Sequence, residues 1–250
     1  MSRINGTREI INADQVAAFF ERRAEKFDAE NPLCAVLYQD QAPHIAQERD
    51  AFERERILPL LDLSGTQRVL DIGCGIGRWA TSIHDRISKY YGIDASSQLI
   101  DIAKTYCPYA NVAFEALATA ELDDAWFADK GPFDCVIFSG ILIYLNDEEI
   151  EPLLSLVSRH TADNGVVYFR EPMGVVTRLT LSGHWSEELQ SNYSAIYRTS
   201  EELLACFRKA FPASEFTIGP FEPLFENANL NNRTETRQMF CLVKKTGVSS

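Results

Sequence analysis

The chain has 250 residues, 46% of them hydrophobic and 24% charged, enough for one large α/β domain with a full core and unlike a disordered or fibrous sequence. A net charge of -12 disfavours a nucleic-acid partner, because that affinity comes largely from Lys and Arg displacing counterions, although an acidic protein can still carry a local basic groove. No run approaches the roughly 18 to 20 apolar residues of a membrane span, the opening MSRINGTREIINADQ lacks the apolar stretch of a signal peptide, and the six cysteines show no metal-ligand spacing; the expectation is a cytoplasmic protein with reduced thiols, no membrane association and no metal site.

Residues 1 to 11 read as unanchored. Asp14 to Phe27 then places Val16, Phe19, Phe20 and Phe27 on one helical face, with Asn12 or Asp14 as N-cap. Leu33, Val36, Leu37 and Tyr38 lie between two prolines, and Ile45 to Leu61 reads as a charged helix ending near Leu63-Ser64-Gly65. Residues 1 to 65 are therefore expected to form a helical N-terminal cap segment on a domain spanning 66 to 250.

From Gln67 the pattern becomes strand then helix. Arg68 to Ile72 is a short apolar run ending in glycines, followed by a helical stretch from Arg78 to Arg86; Tyr90 to Asp94 is a second strand, and Ser97 to Cys107 a helix stopped by Pro108. Further strands are expected at Val112 to Ala116, Phe133 to Ser139, Gly165 to Arg170, Glu215 to Pro220 and Gln238 to Lys244, with helices at Glu148 to His160 and Ser200 to Phe211. Repeated β-then-α order implies an α/β, Rossmann-like, seven-stranded, mostly parallel doubly wound sheet. A long insertion, about 171 to 198, follows the fifth strand and is expected to act as a lid.

The loop after the first of these strands carries the chemistry. Val69-Leu70-Asp71-Ile72-Gly73-Cys74-Gly75-Ile76-Gly77 puts three glycines at alternate positions where a backbone can turn tightly and approach a ligand. Asp94, at the end of the second strand, stands where an acid accepts the hydroxyls of a ribose. The dinucleotide fingerprint would need its third glycine at position 78, which is Arg78.

These residues resemble class I S-adenosylmethionine-dependent methyltransferases, whose first motif is similar to VLDIGCGIG at 69 to 77. The resemblance continues through Gly131 to Ser139 and Ala162 to Tyr168 and covers about residues 66 to 245. It implies S-adenosyl-L-methionine as cofactor, with Gly73, Cys74, Gly75 and Gly77 along its aminocarboxypropyl part, Asp71 supporting the ammonium, Asp94 on the ribose and Ala95 near adenine. Where the family commonly places an Asp after the third strand, this chain has Ala118, so Thr119 or a backbone group must substitute. Ser139 and Gly140, after the fourth strand, are placed near the methyl by the same resemblance.

Methyl transfer from a sulfonium needs alignment, desolvation and, for a protonated acceptor, a base. Candidate catalytic residues are His44 in the cap, Glu171 at the end of the fifth strand, His184 in the insertion and Tyr144 beyond Ser139-Gly140-Ile141; each has a competing reading as a surface, packing or hydrogen-bonded side chain. Met173, Trp185, Tyr193, Tyr197 and Arg198, beside Arg170 and Arg178, suit an organic acceptor with a polar or anionic group, or equally a structural lid or dimer contact. The Asn/Asp-Pro-Pro-aromatic motif of amino-methylating DNA enzymes and the acidic set of magnesium-dependent O-methyltransferases are both missing. The leading expectation is transfer to an O or N atom of a small-molecule metabolite by a monomer or homodimer; peptide or protein methylation, a non-catalytic cofactor-binding domain and a nucleotide-linked dehydrogenase are the alternatives.

Overall fold

The computed structural model describes residues 2–38, 42–227, 229–231 and 233–247. In chain order the elements are β1 (Ser2–Asn5), α1 (Ala13–Ala24), α2 (Cys34–Leu37), α3 (Pro43–Ile57), β2 (Arg68–Ile72), α4 (Arg78–Ile83), β3 (Lys89–Asp94), α5 (Ser97–Tyr106), β4 (Val112–Ala116), α6 (Asp124–Lys130), β5 (Phe133–Ser139), α7 (Asp147–His160), β6 (Thr161–Gly174), β7 (Leu179–Ser186), β8 (Ser191–Tyr197), α8 (Ser200–Ala210), β9 (Phe216–Ile218), β10 (Glu222–Pro223) and β11 (Thr236–Lys245).

The main sheet runs β10-β11-β6-β5-β2-β3-β4, with β9 also paired to β11, so it has eight strands where the sequence pattern predicts seven. The additional strand is the two-residue β10, too short to leave a pattern in the sequence. Strands β4, β3, β2, β5 and β6 are mutually parallel, and β11 returns antiparallel against β6. Chain order reverses between β2 and β5, which opens a crevice at their carboxyl ends.

Both faces of the sheet are buried because successive side chains alternate. Leu70, Phe138 and Phe169 pack on one face with Leu154 of α7 and Phe207 of α8; Val69, Ile137 and Tyr168 pack on the other with Trp79 and Ile83 of α4. This two-sided core holds the strand ends rigid at the crevice.

Three features depart from the expected organisation. Residues 2–5 are anchored, since β1 pairs antiparallel with β7. The fifth parallel strand is β6, which continues through Arg170-Glu171 to Gly174 because β11 pairs with it along that whole extension. The insertion is a β-hairpin, β7–β8, which completes a separate three-stranded sheet with β1. Its Leu179, Leu181, Tyr193, Ala195 and Tyr197 alternate along their strands and bury one face against Phe19 of α1.

Helix α3 also differs from a solvated charged helix. Its Asp50 and Glu53 are buried and hold the equally buried Arg78 of α4 at 2.9 Å each. Tyr168 donates to Glu53 (2.8 Å). The polar side of α3 thereby faces inward, towards the crevice.

Candidate active site

The backbone after β2 turns through Gly73 (φ +77°), Gly75 (φ +54°) and Gly77 (φ +76°) before α4 begins. Side chains are excluded here on two counts, conformation and space: a Cβ at Gly75 would lie 2.7 Å from Val36, and one at Gly77 would lie 2.7 Å from the Phe114 ring. Gly73, Cys74 and Gly75 line the cavity that fills the crevice, whereas Gly77 is turned away from it.

Asp94 ties β3 to this loop. Its carboxylate accepts from the Gly75 N–H and the Ser96 N–H, both at 2.9 Å, while Ser96, rather than Asp94, caps α5. Burial raises the Asp94 carboxyl above its ordinary value, and those two backbone donors act against the rise. Asp71 is 1% exposed and accepts from the Tyr90 hydroxyl; burial pushes its carboxyl up to about 7, with Tyr90 and Arg78 pulling the other way. Burial raises the Cys74 thiol well above its usual range, so it is a thiol and not a thiolate.

Opposite, Ser139 ends β5 with its hydroxyl accepting from Arg78 (2.6 Å). Gly140 (φ +79°) donates its N–H to the Arg170 carbonyl at 2.7 Å. The N–H groups of Ile141 and Leu142 donate to one oxygen of Glu171, at 3.1 and 3.0 Å. The loop after β5 is therefore pinned from β6 through three backbone donors.

The cavity has a volume of about 640 Å³, ample for a nucleoside and a second small molecule. One end is lined by Gly73–Gly75, Asp94, Ala95, Leu117, Ala118 and Thr119. The other is roofed by α1 and the β7–β8 hairpin, and its wall includes Phe20, Tyr38, Tyr144, Tyr193, Tyr197 and His184. Ser139, Gly140 and Ile141 lie on its surface too.

Of the four candidate catalytic residues, two face this cavity. Tyr144 lines it, its hydroxyl bonded to those of Tyr38 (2.7 Å) and Tyr193 (3.0 Å), and His184 lines it from β7. His44 is exposed in the first turn of α3 and is not part of the lining, because the buried side of that helix is its Arg49-Asp50-Glu53 side. Glu171 is fully buried and likewise absent from the lining, since alternation along β6 turns Arg170 and Pro172 to the cavity and Glu171 to the opposite face. His84 stacks on Tyr109, and His160 stacks on Phe127 and bonds Asp124, both away from the cavity.

The cavity also contains residues that the sequence pattern did not single out as site residues. Tyr38 follows α2 with φ +59°, Arg49 faces in from α3, and Arg233 and Gln238 come from the approach to β11 and from β11 itself. Their common feature is inward orientation, which only the tertiary arrangement reveals; the buried polar side of α3 has no apolar stripe to announce it.

Residues 69–165 match a family described as a methyltransferase domain. Among curated relatives, the chain is 25% identical over 157 residues to phosphoethanolamine N-methyltransferase 1 of Zea mays, covering 60% of this chain and 30% of that one. It is 32% identical over 100 residues to magnesium-protoporphyrin O-methyltransferase of Rhodobacter capsulatus, covering 40% and 43%. The chain thus spans less than half the length of either relative. Among solved structures, it is similar to phosphoethanolamine N-methyltransferase 1 of Haemonchus contortus in complex with phosphoethanolamine and S-adenosylhomocysteine (TM-score 0.69, 18% identity, 95% and 50% coverage). A [4+2]-cyclase, SpnF, gives a TM-score of 0.67 at 16% identity, covering 97% and 99%. At these identities the structures establish the fold, and the last of them shows that the fold hosts more than one reaction.

Proposed function

We propose that this chain transfers a methyl group from S-adenosyl-L-methionine to an O or N atom of a small molecule, releasing S-adenosyl-L-homocysteine; the match of residues 69–165 to a methyltransferase-domain family and the likeness of the fold to a solved methyltransferase support this reading. The observation that carries this reading is one continuous cavity running from the glycine loop and Asp94 to the roofed tyrosine-lined end. The residues fit the cofactor: Gly73 and Gly75 line the cavity and contribute no side chain of their own to it, Asp94 offers a carboxylate to a ribose, and Ala95, Ala118 and Thr119 line the space beyond it. Asp71 is a support behind the loop, close to the ammonium end.

When bound, the sulfonium supplies an already activated methyl, so the chain's own work is alignment, desolvation and proton handling. Ser139, Gly140 and Ile141 set the position of the reacting centre, and their loop is held by Glu171, which makes Glu171 a positioning residue. Tyr144 stays protonated because burial raises its hydroxyl well above the ordinary phenol range, so it orients the acceptor and does not act as base. His184 is the histidine of the cavity lining among the described residues, and we assign it the acceptor's proton.

The roof formed by α1 and the hairpin, together with residues 1 to 65 as a cap, favours a small acceptor over a peptide or protein. The curated relatives, named for phosphoethanolamine and magnesium-protoporphyrin, point the same way. A second reading, cofactor binding with a different reaction or none, is favoured by the near-complete overlap with a [4+2]-cyclase. Incubating cellular extract with methyl-labelled cofactor and the protein, then identifying the labelled product by mass, separates the two: protein-dependent labelling of a small molecule supports methyl transfer, and its absence alongside tight S-adenosylhomocysteine binding supports the second reading.

A further inference from the structure

The tyrosine-lined end of the cavity carries an unusual concentration of positive charge for an acidic chain. Arg49, Arg170 and Arg233 all line it. They stand close enough to interact: burial, together with repulsion from Arg170 and Arg233, lowers the Arg49 guanidinium to about 10, with Glu188 opposing. Arg233 is half exposed and pairs with Glu188 at 2.6 Å, and Arg49 donates to the Leu230 carbonyl.

Arg170 is the exception among the buried arginines. It is 7% exposed, its Nε is buried without a partner, and its guanidinium makes no hydrogen bond or ion pair among the described residues. By contrast Arg78 pairs with Asp50 and Glu53, Arg178 with Asp147 and Glu202, and Arg198 with Asp147 and two backbone carbonyls. A buried charge left unpaired is costly, and persists where a ligand completes it.

Two neighbouring observations point to the same ligand. The hydroxyls of Tyr38, Tyr144, Tyr193 and Tyr197 form a chain of three hydrogen bonds, so of four O–H donors one is left over. Arg233 lies within electrostatic reach of Tyr197, Tyr193 and Tyr144, so these phenols and the guanidinium share one end of the cavity. In addition, Gln238 lines the cavity from β11 and its side-chain N–H groups make no hydrogen bond among the described residues, which leaves donors for a ligand, while its oxygen is buried without a partner. This part of the wall is thus rich in N–H and O–H donors.

We propose that the methyl acceptor carries an oxyanion, a carboxylate or a phosphate, that docks on the Arg170 guanidinium with Arg49, Arg233 and the free phenol O–H around it; this rests on the methyltransferase reading. A guanidinium offers a planar fork matched to both anions. The distance between charge and chemistry is short, because a Cβ at Gly140 would sit 3.1 Å from the Arg170 Nη1. Gly140 belongs to the loop assigned to the reacting centre, so the anionic group and the methyl-accepting atom lie a few bonds apart in one compact molecule.

The test uses the full chain saturated with S-adenosylhomocysteine and two probes, inorganic phosphate and benzoate, titrated by calorimetry. At least one should bind in the millimolar range or tighter and weaken as salt rises. Arg170→Gln should weaken that binding about tenfold or more, and Arg233→Gln, at a half-exposed position that cannot endanger folding, by a smaller factor. Which probe binds distinguishes a phosphate from a carboxylate. S-adenosylhomocysteine affinity, read in the same samples, should be unchanged by either substitution. A wild-type complex that binds neither anion, or binding indifferent to Arg170, overturns the oxyanion site and leaves the cofactor reading standing; failure of S-adenosylhomocysteine to bind removes the reading on which the site rests.

Discussion

Replacing Glu171 by Gln separates a positioning role from a catalytic one. In the wild type, one carboxylate oxygen accepts from the N–H groups of Ile141 and Leu142, while the other is buried without a partner. Burial pushes the carboxyl from 4.5 up to about 7, the two backbone donors and Arg170 opposing the rise. An acid whose value is raised on folding binds protons more readily folded than unfolded, so its presence costs stability as pH rises from 4.5 to about 7, and the cost is complete above that window. A shift of this size corresponds to a little over 3 kcal/mol, of which about 2 to 3 kcal/mol falls between pH 5 and pH 8. Gln keeps an acceptor oxygen for the two N–H groups but does not titrate. Urea denaturation at pH 5, 6, 7 and 8 should therefore show Glu171→Gln gaining about 2 to 3 kcal/mol relative to wild type between pH 5 and pH 8. Methyl transfer at pH 8, once an acceptor is in hand, should fall by less than about tenfold, because the loop remains pinned. A stability difference independent of pH, or loss of turnover with cofactor affinity and fold intact, would refute this reasoning.

Arg78→Met leaves Glu53 buried without its ion-pair partner and Asp50 with Arg54 alone, so thermal and urea denaturation should report a loss of about 3 to 5 kcal/mol. That value also tests whether α3 is bound to the catalytic domain through buried charge, since a solvated helix would lose less than about 1 kcal/mol. His184→Ala should lower acceptor turnover by about 100-fold or more while leaving S-adenosylhomocysteine affinity unchanged, measured by coupled assay and calorimetry. Equal turnover in the variant would transfer the proton-accepting role elsewhere in the cavity.

The parts of this protein legible in its sequence are those written in local pattern. Val112–Ala116 and Phe133–Ser139 are strands with the expected bounds, because apolar runs closed by turn residues leave little ambiguity. The glycine loop is equally plain, since left-handed backbone and close packing leave glycine as the fitting residue. What depends on distant pairing is not legible. Residues 2–5 become a strand because β7 supplies a partner, and β6 runs past Arg170-Glu171 because β11 does. The same holds for the site: Gly73 and Asp94 are singled out by spacing and Asp71 by the family resemblance, but nothing near Arg49 in the sequence tells its inward helix face from an outward one. His44 and Glu171 satisfied the chemistry sought of a base, and the packing of their elements turns both away from the cavity.

The central claim is that the backbone from Asp71 to Gly75 and the Asp94 carboxylate hold a sulfonium nucleoside, and calorimetric titration with S-adenosylhomocysteine tests it most directly. The account predicts one-to-one binding, no comparable binding of NAD, and a loss of about 100-fold or more in Asp94→Ala, where two charge-assisted hydrogen bonds to the ribose disappear. Binding of S-adenosylhomocysteine that is unchanged in Asp94→Ala, or tight binding of NAD in its place, would contradict it.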